Sequence, residues 1–297
     1  MVKGAVGIAR KLHISTLVIG MTVVSFGTSA PELLVSLKAA YMGSPEIAIG
    51  NVVGSNIANL ALVLAVTVLI FPIVVERNTL ALDWPLMMLG SVLFYVFALD
   101  YTIARWEGAL LFIILAVFTV YLITNSRKKN KADILVDDYV PETGEDVKRS
   151  FLHFVYLIIG LSGLFFGADW LLQGAVGIAL DAGMEKRVVG VTIVAFGTSV
   201  PELVTSGVAA YRKQTDISIG NLIGSNIFNI MAVIGITSIL HPISVENEAI
   251  QFDMIWMLAI AAVLFPLMLM GRKVGRFKGA LLLSTYVIYI SILVWSL

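Results

Sequence analysis

Residues 26–33 read FGTSAPEL and residues 196–203 read FGTSVPEL. Each word sets a proline and an ionisable glutamate, Glu32 or Glu202, in the middle of a long apolar run. Proline has no N–H and its ring clashes with the carbonyl four residues back. Pro31 is therefore expected to free the carbonyl of Gly27, and Pro201 that of Gly197, breaking both helices. What the breaks mean depends on what surrounds them.

The surroundings read as lipid. Of 297 residues, 59% are apolar and only 13% charged, against roughly 25% charged in a soluble domain; the mean hydropathy is +0.94. Runs near the ~20 apolar residues that cross a bilayer as helix fall at 14–41, 47–71, 83–103, 107–124, 151–172, 188–211, 217–240, 252–270 and 278–297. They are continuously apolar rather than alternating, so helices are expected and not a barrel. The fold class is an all-α integral membrane protein. Zero net charge gives no sign of a nucleic-acid partner, and no obligate protein partner is indicated. The absence of cysteine removes disulfides, thiolate metal sites and cysteine nucleophiles. The opening MVKGAVGIARKL lacks the apolar core of a cleavable signal peptide.

Charge placement orients the chain. The polar connection 125–150 carries Arg127, Lys128, Lys129, Lys131, Lys148 and Arg149, which makes it cytoplasmic by the positive-inside rule. Alternate threading puts Arg10, Lys11, Arg77, Arg212, Lys213, Arg272, Lys273, Arg276 and Lys278 on the same side and the C-terminus outside. The expected location is the cell membrane.

A shift of 170 residues, the separation of Glu32 and Glu202, aligns the chain with itself without a gap from Gly4 to at least Leu60. GAVGIA at 4–9 meets GAVGIA at 174–179, and GNVVGSNIAN at 50–59 meets GNLIGSNIFN at 220–229. An odd number of helix steps separates the FGTS words, so the halves are expected to be inverted repeats of about five helices, with the broken helices at the midplane. That is the architecture of secondary transporters, whose site lies between the repeats. The division is 1–124 for the first repeat, 125–150 for the connection and 151–297 for the second. The segment 151–172 has no counterpart before Val2, so the first repeat is expected to lack its leading helix, with the natural reading frame starting upstream.

Loose backbone at membrane depth is tolerated only where protein buries it or it lines a polar cavity. Around the two breaks the chain offers only oxygen donors: the hydroxyls of Thr28, Ser29, Thr198 and Ser199, carbonyls near Ser25 and Ala195, and the carboxylates of Glu32 and Glu202. Ser55 and Asn59, four apart and on one helical face, and Ser225 and Asn229 in the other repeat can complete the shell. Such a set suits calcium and sodium, whereas transition metals seek imidazole or thiolate. His13, His153 and His241 lie near expected helix ends. Glycines at 50, 54, 220 and 224 allow close helix approach. Plainer readings are weighed beside these: a structural hydrogen bond between the glutamates, helix packing by the hydroxyls and by GAVGIA, capping or interfacial roles for Asp83, Asp169 and Asp253, and packing or interfacial roles for the tryptophans. An intramembrane carboxylate is costly and points to function first.

With FGTSAPEL, FGTSVPEL, GNVVGSNIAN and GNLIGSNIFN in view, the chain resembles the calcium/cation antiporter superfamily, particularly the prokaryotic sodium/calcium exchangers, over essentially its whole length. The resemblance implies ten helices, so one absent before Met1. It implies calcium binding by Glu32 and Glu202 with nearby carbonyls, and sodium sites at Ser25, Thr28, Ser29, Ser55, Ala195, Thr198, Ser199 and Ser225. Some relatives carry aspartate where this chain has Asn229, so the site has two carboxylates rather than three. The connection at 125–150 is too short for an inserted calcium-sensing domain. The function expected is exchange of Ca2+ for Na+ by alternating access, with no cofactor and no enzymatic activity. Rival readings are a proton/calcium antiporter of the same fold, a cation channel and, weakest, an intramembrane hydrolase.

Overall fold

A computed structural model describes residues 2–11, 14–134, 144–181, 183–184 and 186–295. Helix α1 is Val2–Lys11. The first word sits in a bent pair, α2 (Thr16–Thr28) and α3 (Ala30–Tyr41), inclined by 41°. Then come α4 (Pro45–Ile70), α5 (Thr79–Ala98), α6 (Arg105–Ile134) and α7 (Gly144–Asp181). The second word lies in α8 (Arg187–Tyr211), followed by α9 (Thr215–Leu240), α10 (Ala249–Arg272) and α11 (Arg276–Trp295). Among the described residues, seven helices are long and apolar enough to span a bilayer, and the bent pair makes an eighth. The expected segment 151–172 lies inside α7, and the polar connection is helical to Ile134 and again from Gly144. His13 and the side chains of Arg10, Lys11, Lys129, Lys131, Lys148, Arg149 and Asp169 fall outside the description.

The duplication seen in sequence is a duplication of structure. Short strands occupy matching places: β1 (Ile73–Val74) matches β3 (Ile243–Ser244), and β2 (Thr102–Ile103) matches β4 (Lys273–Val274). Their pairing fixes the relation of the halves. One helix, α5, separates β1 from β2, so these lie at opposite ends of the bundle. Yet β1 pairs with β4, and β2 with β3, both antiparallel. Equivalent strands therefore sit at opposite ends, which is what inversion requires. The isoleucines of these ribbons, Ile73, Ile103 and Ile243, are fully buried with Val274 and seal both ends of the core. The 170-residue shift holds as far as Asp83 and Asp253; one extra residue before β4 makes it 171 through the last helix.

Crossed packing joins the halves. Helix α4 lies on α8, and α9 lies on α2. Glycines make the contact: a Cβ on Gly54 would stand 2.5 Å from the Val191 carbonyl oxygen and 2.6 Å from the Ala195 Cβ. One on Gly220 would stand 2.6 Å from the Leu17 carbonyl oxygen, and one on Gly224 would collide with the Ser25 hydroxyl. Gly4 and Gly7 of the first GAVGIA do the same for α1 against α7 around His153, while Gly174 and Gly177 of the second copy face open space.

Two readings are corrected. Asp83 and Asp253 are neither caps nor interfacial: both are buried inside π-helical turns that open α5 and α10, with no side-chain capping bond. Asp253 instead pairs with Arg187 at 2.7 Å. Lys278, expected only to orient the chain, also donates to the carbonyls of Leu267 and Lys273, both at 2.7 Å, closing the end of α10.

Because no side chain fits between α4 and α8 or between α9 and α2, Gly54→Ala and Gly224→Ala should each cost about 1–3 kcal/mol, read as a lower melting temperature in detergent. Gly174→Ala, which meets nothing, should leave the melting temperature unchanged.

Candidate cation site between the repeats

The local sequence aims the two words at each other. Just before each, a π-helical turn, Gly20–Val24 or Gly190–Val194, takes up an extra residue and rotates the following side chains relative to a regular helix. Hydroxyls satisfy backbone around these turns: Thr22 donates to the Val18 carbonyl at 2.7 Å, Thr192 to that of Val188 at 2.6 Å. Helix geometry then lapses at a serine two residues before each proline. Ser29 has φ −85° and ψ 5°, and Ser199 φ −82° and ψ 0°. Pro31 and Pro201 sit in the first turn of the restarted helix, where a missing N–H costs nothing. Glu32 and Glu202 follow in that same first turn.

Both glutamates have no exposed surface. They are close enough to repel each other, and the Ser29 hydroxyl, three residues before Glu32, donates to Glu202 Oε1 at 3.3 Å. The hydroxyls of Thr28 and Ser225 also face Glu202, and that of Thr198 faces Glu32. Each threonine meets the opposite repeat: Thr28 and Ser225 share a contact at 3.3 Å, and Ser55 and Thr198 share one at 3.2 Å. The Ala195 carbonyl accepts from Ser55 and from Thr198, both at 3.3 Å, and the Ser25 carbonyl accepts from Thr28 at 3.3 Å.

Ser25 differs from the rest in its side chain. Its hydroxyl turns into backbone, within donating distance of the Gly20 carbonyl of its own helix at 2.8 Å and of the Asn221 carbonyl of α9 at 3.0 Å. Asn59 and Asn229 stand at the π-helical turns Ala58–Val63 and Asn229–Ile234. The first turn packs against the helix that carries Glu202, the second against the one that carries Glu32.

Most telling is what is left over. Both carboxylate oxygens of Glu32, Oε2 of Glu202, the Ser199 hydroxyl and both amide atoms of Asn59 and of Asn229 are buried without a hydrogen-bond partner. Buried polar groups are ordinarily paired, and a buried charge without compensation costs several kcal/mol. These eight atoms, out of fifteen such buried side-chain atoms among the described residues, belong to residues expected to form one site. Among the described residues no third histidine or acid joins the pair. The donor set fits a hard cation.

Sequence reasoning missed the residues that hold this site together. Asn51 Nδ2 donates to the Glu32 carbonyl at 3.1 Å and to Ser36 at 2.9 Å, while its Oδ1 accepts from Thr198 at 3.0 Å. In the other half, Asn221 Nδ2 donates to Ser206 at 3.1 Å and its Oδ1 accepts from Thr28 at 3.2 Å. Each asparagine ties one repeat's glutamate helix to the other's threonine. The signal was present: both stand one helical turn before Ser55 and Ser225, at matching places in the two GSN words.

The family model described as sodium/calcium exchanger protein matches residues 1–124 and 152–295. The chain belongs to the sodium/calcium exchanger family. It is thus a multi-pass membrane antiporter of cations and not an enzyme. It is 38% identical over 291 residues to CaxA of Alkalimonas amylolytica, a protein that bears the name antiporter, covering 97% of this chain and 91% of that one. It is 32% identical over 324 residues to the sodium/calcium exchanger MaX1 of Methanosarcina acetivorans, covering 98% and 93%. The structure of the sodium-calcium exchanger NCX_Mj soaked with Na+ and Ca2+ superposes with a TM-score of 0.80 at 34% identity, covering 98% of this exchanger and 91% of that chain.

Replacing Asn51 or Asn221 by leucine leaves a threonine hydroxyl and a serine hydroxyl without their amide partner. Each substitution should lower stability by about 1–3 kcal/mol, measured by thermal unfolding of the purified protein without added calcium.

Proposed function

We propose that this exchanger trades Ca2+ for Na+ by alternating access at the site between the repeats. Glu32 and Glu202 would bind calcium together with carbonyls near Ser25 and Ala195. Sodium would take the hydroxyls of Thr28, Ser29, Ser55, Thr198, Ser199 and Ser225, with Asn59 and Asn229 completing the shell. The observation that carries the reading is the set of buried, unpartnered oxygens on Glu32, Glu202, Ser199, Asn59 and Asn229. Two carboxylates neutralise one calcium, and the neutral oxygens around them favour sodium over protons as the counter-ion: a proton needs only a carboxylate, whereas sodium needs a shell. NCX_Mj, soaked with both ions, supports the same pairing.

Coupling then follows from electrostatics. An empty site leaves two buried carboxylates facing each other, which makes crossing costly, so the site changes sides loaded with one ion type or the other. When more than two sodium ions replace one calcium, net charge moves, and the membrane potential contributes about 2.3 kcal/mol per charge per 100 mV. The orientation we adopt puts the 125–150 connection, with Arg127 and Lys128, in the cytoplasm and the C-terminus outside. It keeps 1–124 and 151–297 as the two repeats.

Glu32→Gln and Glu202→Gln should each reduce calcium uptake into sodium-loaded proteoliposomes at least ~100-fold, about 3 kcal/mol, with unchanged elution on size exclusion. Normal uptake by both variants would refute the assignment. Uptake should stop when a pH gradient replaces the sodium gradient; uptake driven by protons alone would replace sodium with protons in the mechanism. Asn59→Leu and Asn229→Leu discriminate ligation from packing. Neither amide has a protein partner to lose, so ion-free stability should hold while the stabilisation that calcium confers shrinks.

A further inference from the structure

The two repeats differ at a buried position the transport site does not use. In the second repeat Asp253, fully buried, meets Arg187 Nη1 at 2.7 Å and accepts from the Tyr289 hydroxyl at 3.0 Å. That cluster supplies the aspartate with a counter-charge from α8 and a hydrogen bond from α11. Asp83 holds the same place in the first repeat and is 1% exposed. Its matched neighbours are Leu17, 170 residues before Arg187, and Phe118, 171 before Tyr289. Neither can donate a hydrogen bond or a charge.

What Asp83 has instead is the neutral Thr79 hydroxyl one turn earlier, which brings no charge, and space. It lines a cavity of about 350 Å³ together with Glu76, Asn78, Ser15, Asn125 and Ser126, and its Oδ2 has no hydrogen-bond partner. Glu76 and Asn78 are exposed at the mouth, while Asp83 and Ser126 are buried. Glu76 adds to the negative potential at Asp83. The floor is already fixed: Ser126 Oγ accepts from the Ser15 N–H at 2.9 Å, and Ser15 Oγ caps α2 by accepting from Val18 N–H at 3.2 Å. None of the twelve residues assigned to the site between the repeats lines this cavity.

A buried carboxylate needs a compensating positive charge to remain ionised. The second repeat carries one in its own chain, and the first leaves a solvent-connected void where that charge would be. We propose that this cavity is a second cation site, selective for a divalent hard cation and separate from the site between the repeats. Its donors are two carboxylates, Glu76 and Asp83, with the amide oxygens of Asn78 and Asn125 and hydroxyl oxygen from Ser15 and Ser126. That is an all-oxygen set of the kind calcium takes. A bound cation joins the start of α2, the opening turn of α5 and the end of α6. Occupancy therefore braces the helix that carries Ser25 and Thr28 from the end where the 125–150 connection begins.

The test is equilibrium binding of radioactive calcium, in the absence of sodium, to the purified full chain. Glu32→Gln/Glu202→Gln should retain calcium binding. In that background Asp83→Asn or Leu17→Arg, which rebuilds the ion pair of the second repeat, should abolish what remains, and Glu76→Gln should weaken it about tenfold. In the otherwise native chain, Asp83→Asn and Leu17→Arg should each remove one class of calcium site and keep the other. The proposal is overturned if Asp83→Asn and Leu17→Arg leave native binding unchanged, or if the folded double glutamine variant binds no calcium. Failure of the transport-site assignment reads differently: Glu32→Gln/Glu202→Gln would then bind as much calcium as the native chain.

Discussion

Two like charges enclosed together without a protein counter-charge set the terms for this molecule. Glu32 and Glu202 have no exposed surface and, among the described residues, no basic partner, and three of their four carboxylate oxygens lack a hydrogen bond. A fold stabilises such an arrangement only by investing elsewhere. Here the investment is a glycine-lined crossing of α4 on α8 and α9 on α2, with two asparagines bridging the halves at the site. The packing is close where the carboxylates are, and the carboxylates are left for ions.

Inversion turns one solution into a two-sided one. The β1–β4 and β2–β3 ribbons put equivalent segments at opposite ends, so each half presents its glutamate-bearing helix from the opposite direction. A site built at the crossing is then equally related to both faces of the membrane. The small departures from symmetry matter correspondingly. Ser25 stands where the second repeat has Ala195, and Leu17 where it has Arg187, so equivalent backbones carry different polar groups.

Much of this was legible in sequence because the decisive signals are linear. The FGTS words, their glutamates and the 170-residue shift gave the fold class, the inversion and the convergence of Glu32, Glu202, Thr28, Thr198, Ser55 and Ser225. Other features were not legible, for physical reasons. Asn51 and Asn221 act across the repeats, and contacts between residues 147 and 193 apart leave no periodicity. Asp83 and Asp253 looked like helix ends because π-helical turns extend α5 and α10 backward by one turn, burying positions that a regular helix would have left at its start.

The central claim is that one ion is shared by two carboxylates from opposite repeats. A crystal structure of the protein in calcium, with the metal located by its anomalous scattering, tests it directly. The account predicts one calcium between Glu32 and Glu202, at about 2.3–2.6 Å from oxygens of both. Calcium bound by only one of the two glutamates, or by neither, would contradict it.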